Sequence, residues 1–322
     1  MSFASTDPLD RLPLPVLVGP TAAGKTSLAL AIADLTGCEL ISLDSMQVYK
    51  GMDVGTAKAT SEERSRAPHH MLDLVQASES FDVAMYLDEV RGLLEELSRS
   101  GRKYLFVGGT AFWLRALHQG LFDGPSRDPK IRERLNEQLE AEGAQAIFER
   151  LRAVDPDSAE RLHPNDTRRV IRAIEVFELT GVPLSAQQRE WGEQGSTSAP
   201  SRDARVVGIV AEGEAYERRI RARVDEMLNA GWLEEAVSIR DGCGFSFTAE
   251  KALGYKEVLA LAAGDLDRDA CLDEISLRTR QFARKQRTWY RKLENALWVE
   301  SPSLSGVEAL AKRLALELGL LS

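Results

Sequence analysis

The sequence predicts an α/β protein, a parallel sheet with flanking helices interrupted by an inserted all-helical domain, and three observations carry that expectation. Short apolar runs at Leu14–Val18, Glu39–Leu43 and Lys103–Val107 alternate with helical patterns at Ser27–Leu35 and Ser80–Ser98. Short connections between such runs are the order of a parallel sheet with crossover helices. The run Gly19-Pro20-Thr21-Ala22-Ala23-Gly24-Lys25-Thr26 follows the first strand and opens the first helix, where a phosphate-cradling loop belongs. From Gly124 to about Gln188 the chain is rich in Glu, Arg, Gln and Ala, with helical periodicity and no strand pattern.

The remaining elements follow in order. Phe112–His118 predicts a helix after the third strand, and Glu190–Arg202 is a polar linker by composition. Arg205–Val210 predicts a strand that rejoins the first sheet, and Ala296–Val299 a last one. Helices are expected at about Ala215–Ala230, Leu233–Arg240, Lys256–Ala263, Asp267–Glu294 and Gly306–Leu318. The domain bounds expected are 1–123 for the first part of the core, 124–202 for the helical insertion and 203–322 for the core's continuation.

Composition narrows the classes. With 322 residues, 43% of them hydrophobic, a disordered or low-complexity chain is excluded and one large domain carrying a second is the working expectation. No apolar run approaches the ~20 residues of a membrane helix, and Met1–Pro15 lacks the basic start and apolar stretch of a secretory signal. Cys38, Cys243 and Cys271 are odd in number and far apart, so neither a disulfide framework nor a structural zinc site is expected. A reducing compartment, most simply the cytoplasm, is the expected location.

The net charge is −9, yet Arg278–Lys292 (RTRQFARKQRTWYRK) holds five Arg, two Lys and no acid. Such a concentration keeps a polyanion partner open. Arg161, Arg168 and Arg172 around the helix that starts after Pro164–Asn165, and Arg127, Lys130, Arg132 and Arg134 upstream, make two further basic clusters. Solvated faces paired to neighbouring acids would also produce them. In the third run Phe282, Trp289 and Tyr290 are either stacking partners for splayed bases or the helix's own core face.

The loop Gly19–Thr26 satisfies G-x-x-x-x-G-K-[ST] at every constrained position, so the fold is expected to be P-loop NTPase-like. Its glycines let backbone N–H groups converge on an anion at a helix N-terminus. Lys25 supplies a mobile cation, and the Thr26 hydroxyl a ligand for Mg²⁺. The loop alone points by default to a nucleoside triphosphate, and a departing diphosphate would be held equally well.

Asp44 and Ser45 end the second strand, where open α/β sheets place ligands. The Asp44 carboxylate can meet Mg²⁺ through water, accept a proton, or merely make an Asx turn. Gly108-Gly109-Thr110 ends the third strand, and the Thr110 hydroxyl either faces the cleft or caps the next helix. His69-His70 is expected on a loop without a metal cluster, since only His118 and His163 remain elsewhere.

The stretches GPTAAGKTSLA, ISLDSMQVYKGMDVGTAK, PHHMLDLV, LFVGGT, HPNDTRRVIRAIEV, LGYKE and TRQFARKQRTWYR run in order from about Gly19 to Arg291. On these motifs the chain resembles the bacterial tRNA dimethylallyltransferases, also called tRNA isopentenyltransferases. The resemblance implies transfer of a dimethylallyl group from dimethylallyl diphosphate to N6 of the adenine 3′ of a tRNA anticodon, with Mg²⁺ as cofactor. It implies Asp44 and Thr110 as catalytic residues, and Gly19–Thr26 with Arg219 and Arg223 as the diphosphate site. For tRNA it implies Asp44, Ser45, Met46, Gln47, Thr110, Arg132, Arg168, Arg169, Val170, Ile171 and Arg172. It adds Lys251, Gly254, Tyr255, Lys256, Arg284, Lys285, Gln286, Arg287, Thr288, Trp289 and Arg291.

The inserted helices would grip the anticodon stem-loop from the side opposite the core, the chain acting as a monomer away from membranes. The family usually follows Gly-Gly-Thr with Gly-Leu-Tyr; here Ala111-Phe112-Trp113 stands instead, a change at the expected prenyl pocket wall. A zinc-finger extension like that of eukaryotic relatives is not found in the sequence. Three alternatives stay open: a prenyltransferase for free adenine nucleotides, which needs no helical insertion; a small-molecule kinase, which leaves the basic surfaces unexplained; and a non-catalytic RNA-binding module, which leaves the phosphate loop unexplained.

Overall fold

The computed structural model describes residues 7–120, 124–125, 128–188, 204–293, 295–301 and 306–321. The chain divides into two compact units, one of Met1–His118 with Ser201–Ser322 and one of Gln119–Pro200.

The first unit is built on a six-stranded sheet. Its strands are β1 (Leu14–Val18), β2 (Glu39–Leu43), β3 (His69–His70), β4 (Tyr104–Gly108), β5 (Ala204–Val210) and β6 (Leu297–Glu300), in the order β3-β2-β4-β1-β5-β6. Every pairing is parallel. All five residues of β1 are buried, as expected for a strand covered by helices on both faces. Helix Lys25–Thr36 gives Leu28, Ala29 and Ile32 to the core, where Leu314 and Ala315 of helix Val307–Glu317 join Leu17, Leu40 and Leu105 of the sheet.

Register sets the site. Val18 of β1 and Leu43 of β2 both pair with Gly108 of β4, so three neighbouring strands end level with one another. The loops that leave them carry Gly19, Asp44 and Gly109.

Local chemistry moved some element ends. Helix Val83–Arg99 starts after Phe81, because the Asp82 carboxylate caps the N–H groups of Ala84 and Met85 at 3.0 and 3.2 Å. Helix Arg268–Tyr290, capped by Asp267 on the Ala270 N–H, stops short of the expected Glu294, which lies outside the described residues. His69-His70, expected on a loop, is instead an edge strand paired with Leu40 and Ile41. Two residues are too few to show strand alternation in sequence. The capping box Thr60–Glu63 likewise starts an unforeseen helix, Ser61–Arg66.

The second unit contains helices Pro129–Val154, Pro156–Arg161 and Thr167–Thr180, the first kinked at Gly143 with φ 84°. Leu135, Ile147, Phe148, Leu151, Val170 and Ile174 form its core. The linker Glu190–Arg202 and Arg127 lie largely or wholly outside the described residues.

Candidate active site

The phosphate loop leaves β1 and turns into helix Lys25–Thr36 through Gly24, whose φ of 85° is left-handed and free of strain only for glycine. Ala22 also sits at positive φ, 58°. The Lys25 ammonium donates to the carbonyls of Gly19 and Pro20 at 3.0 and 2.9 Å, so it is held inside its own loop. Burial, and then the Arg223 guanidinium, push its pKa down to about 8, against the pull of Asp44.

Asp44 follows β2. Its Oδ1 accepts the Met46 N–H at 2.9 Å, the Asx turn considered from sequence, and the other oxygen is not used in that turn. Burial raises its pKa above the ordinary carboxylate value, opposed by the Met46 N–H, Lys25, the Gln47 N–H and Arg223. Turn-making and proton acceptance are therefore compatible in this residue. The Thr110 hydroxyl accepts the Ser45 N–H at 3.0 Å and lies 3.4 Å from the Ser45 hydroxyl. The N–H groups of Gly109 and Thr110 both donate to the Leu43 carbonyl at 3.2 Å. Side chains are excluded from this turn, since a Cβ on Gly108 would strike the Leu43 carbonyl and one on Gly109 would come within 2.5 Å of Gln286 Nε2.

A cleft of about 2000 Å³ gathers Lys25, Thr26, Asp44, Thr110, Arg219 and Arg223 along one wall system. Arg219 donates to Ser301 Oγ at 2.9 Å, and that hydroxyl in turn donates to the Ala23 carbonyl at 3.0 Å. Arg223 is buried enough to lower its pKa, with Glu226 the largest opposing charge. Among the described residues, no group of three or more His, Cys, Asp or Glu stands ready to hold a metal. Thr26 and Asp44 do share the cleft. A hydroxyl with a carboxylate suits Mg²⁺, which keeps waters and takes its other ligands from substrate phosphates.

The residues expected to meet RNA divide sharply. Ser45, Met46, Gln47, Lys251, Gly254, Lys256 and Lys285 line the same cleft, Arg284 and Thr288 are exposed on helix Arg268–Tyr290, and Arg291 is exposed at its C-cap. Others require correction. Val170 and Ile171 are core residues of the second unit, Tyr255 is buried edge-on against Trp232, and Gln286 is buried. Their apolar or inward-facing neighbours, not solvent, hold these side chains.

Arg132 and Arg172 both bind Glu175, at 2.8 and 2.7 Å, and Arg172 also donates to the Pro125 carbonyl. Arg287 donates to the Ala211 carbonyl, and Arg169 pairs with Asp166. Gly254 has φ 93° and abuts the Trp232 ring, so its requirement is one of backbone shape. The aromatic residues of the basic run also divide: Tyr290 is core, Phe282 is exposed and lines the cleft, and Trp289 is half-buried. Trp113 is buried against Tyr86 and Phe81, while Phe112 is exposed.

Two contributors, Tyr216 and Glu235, lay outside every quoted motif, and Lys58 lay inside one without being singled out. Tyr216 donates its hydroxyl to the Thr21 carbonyl at 2.7 Å. Glu235 accepts the N–H groups of Asp53, Val54 and Gly55 at 2.7 to 3.0 Å and the Tyr255 hydroxyl at 2.6 Å, seating the loop after Met52. Lys58, with its ammonium buried, joins Asp53, Asp73 and the Tyr49 carbonyl. Gln47, in the same motif as Lys58, was named for RNA; its amide bridges Ser42 to the Thr56 and Ala57 carbonyls.

A phosphate loop, a carboxylate and a hydroxyl ending three adjacent parallel strands in one cleft define a phosphate-loop α/β enzyme. Residues 47–293 match the model of the IPP transferase family, and residues 13–80 match that of isopentenyl transferase. The chain is 41% identical to a tRNA dimethylallyltransferase of Geobacter metallireducens over 90% of this chain and 93% of the relative. Its structure is similar to the full-length tRNA isopentenylpyrophosphate transferase of Bacillus halodurans, with TM-score 0.67, 34% identity, and 95% and 97% of the two chains covered. It is also similar to a eukaryotic dimethylallyltransferase acting on tRNA, with TM-score 0.75, 27% identity, and 94% and 78% covered. The chain belongs to the tRNA dimethylallyltransferase family.

Proposed function

We propose that this protein transfers the dimethylallyl group of dimethylallyl diphosphate to N6 of the adenine 3′ of the anticodon in tRNA and releases diphosphate. The observation that carries the reading is the level ending of β1, β2 and β4, which brings the phosphate loop, Asp44 and Thr110 into one cleft.

In this reading the loop N–H groups, Lys25, Arg219 and Arg223 bind the diphosphate. As the allylic C–O bond breaks, its electron pair leaves with the diphosphate and the N6 lone pair forms the new C–N bond. The proton lost from N6 passes to Asp44, whose raised pKa suits a proton acceptor close to the reaction. Thr110, fixed by the Ser45 N–H, orients the reacting groups with its hydroxyl. Thr26 would hold Mg²⁺, which when bound supplies positive charge to the leaving diphosphate. The target base must leave its stack to enter the cleft.

The exposed Arg284, Lys285 and Arg291 supply phosphate contacts in the first unit, with Phe282 available for stacking. Helix Thr167–Thr180, with Arg168 and Arg169, makes the second unit a further RNA-binding element. The chain works as a monomer in the cytoplasm; among the described residues no helix is long and apolar enough to cross a membrane. Incubation with radiolabelled dimethylallyl diphosphate, Mg²⁺ and unmodified tRNA tests the reading, with AMP as competing acceptor. Label is expected in acid-precipitated tRNA. Label in AMP would move the acceptor to free nucleotides, and label in neither would sink prenyl transfer.

A further inference from the structure

Helix Arg268–Tyr290 has two faces of opposite character. Thr279, Ala283, Gln286 and Tyr290 form a buried stripe at helical spacing, while Arg284, Lys285 and the C-cap residue Arg291 are exposed. The Thr279 hydroxyl donates within the helix to the Ile275 carbonyl, whereas the polar atoms of Gln286 and Tyr290, at the C-terminal end of the stripe, reach the two loops of the site.

The Gln286 amide donates through Nε2 to the Gly109 carbonyl at 2.8 Å and accepts the Thr21 N–H through Oε1 at 3.2 Å. Its orientation is unambiguous, because a carbonyl can only accept and a backbone N–H can only donate. The Tyr290 hydroxyl donates to the same Gly109 carbonyl at 2.8 Å. Thr21 is held from its other side by the Tyr216 hydroxyl at 2.7 Å. One side chain thus fastens the middle of the phosphate loop to the residue before Thr110. Neither loop has bulk of its own to do so: one reads Gly-Pro-Thr-Ala-Ala-Gly and the other Gly-Gly-Thr. The close fit leaves no slack, since a Cβ on Gly109 would meet the Gln286 amide.

We propose that Gln286, seconded by Tyr290, is a positioning residue that pre-organises the diphosphate site by fixing the phosphate loop to the Thr110 turn, and is not an RNA contact. The helix then carries RNA-facing cations on one side and the brace of the leaving-group site on the other. The nature of the ligand rests on the proposed prenyl transfer, whereas the brace is tested by binding alone.

Inorganic diphosphate is titrated calorimetrically, and anticodon stem-loop RNA by filter binding, into the full chain and its variants. Gln286→Leu is expected to weaken diphosphate binding about tenfold, the scale of one or two lost hydrogen bonds, with RNA affinity within twofold. Gln286→Glu keeps the acceptor for Thr21, loses the donor to Gly109 and adds a negative charge, so its loss should be larger. Tyr290→Phe keeps the ring and removes one of two donors, so it should cost severalfold in the same direction. If Gln286→Leu fails to fold, the other two variants decide. RNA affinity falling tenfold with diphosphate binding unchanged would overturn the proposal, as would unchanged diphosphate binding in all folded variants. Failure of the wild-type protein to transfer label would instead count against prenyl transfer.

Discussion

The carboxyl end of the sheet and the helical unit Gln119–Pro200 treat charge in opposite ways. In the helical unit the Glu175 carboxylate is fully buried and is satisfied by Arg132, Arg172 and the Asp128 N–H; hydrogen bonds from those arginines help hold its pKa down against burial. Glu178 likewise takes both Arg134 and Arg150. At the sheet end the Lys25 ammonium, among the described residues, has only carbonyl acceptors at hydrogen-bond distance, its pKa is lowered, and that of Asp44 is raised. Charges that complete one another build a fold; charges held short of completion are left for a ligand to complete.

The largest expected effect lies at the sheet end. Asp44→Ala removes the proton acceptor and should lower kcat by about 10²–10⁴. Affinity for tRNA, measured by filter binding, should change far less. Weakened tRNA binding with kcat on saturating tRNA unchanged would show that Asp44 only positions RNA.

Next is the helical unit, where the consequence is stability. Glu175→Ala strands Arg132 and Arg172 beside the core without their shared anion, a loss on the order of 3 kcal/mol. Urea unfolding followed by circular dichroism reads it. An unchanged midpoint would mean that both guanidiniums find water instead.

A smaller effect concerns pH. With Lys25 at about 8 in the free protein, a bound diphosphate favours the protonated amine and raises that pKa. Below 8 the proton is already present and binding gains nothing from this source; above 8 it must be taken up, so affinity falls as pH rises, by up to tenfold per unit. Lys25→Arg stays charged and serves as the reference that removes the ligand's own titration. Parallel profiles for the two proteins would reject the coupling.

The comparison also explains what could be read from residues alone. The phosphate loop, Asp44 and Thr110 were legible because each follows an apolar run at a strand's carboxyl end, a purely local pattern. Strand order was not, and it is β4 lying between β2 and β1 that joins three separate loops into one site. Val170, Ile171, Tyr255 and Gln286 were assigned to RNA by the family resemblance, which carries whole motif segments across. Motif membership does not say which face of a helix a residue occupies relative to its neighbours. Gln286 meets partners 265 and 177 residues away, and Arg132 meets Glu175 across 43. No spacing rule reaches so far, so the sequence left Arg132 open between an RNA contact and pairing to a nearby acid, and did not point to Glu175.

Exposure should grade the ion pairs within the helical unit itself. Glu178 has a side chain 19% exposed, and its partners Arg134 and Arg150 are 56% and 35% exposed, whereas Glu175 is at 0%. Water can replace a guanidinium at Glu178, and a guanidinium lost from it keeps its own hydration. Glu178→Ala should therefore cost less than about 1 kcal/mol, and salt should reduce even that. Measured in the same urea series, a loss as large as that of Glu175→Ala would mean that both carboxylates act as one buried network. The double variant would then fall short of the sum of the singles, because each alone would already have broken it.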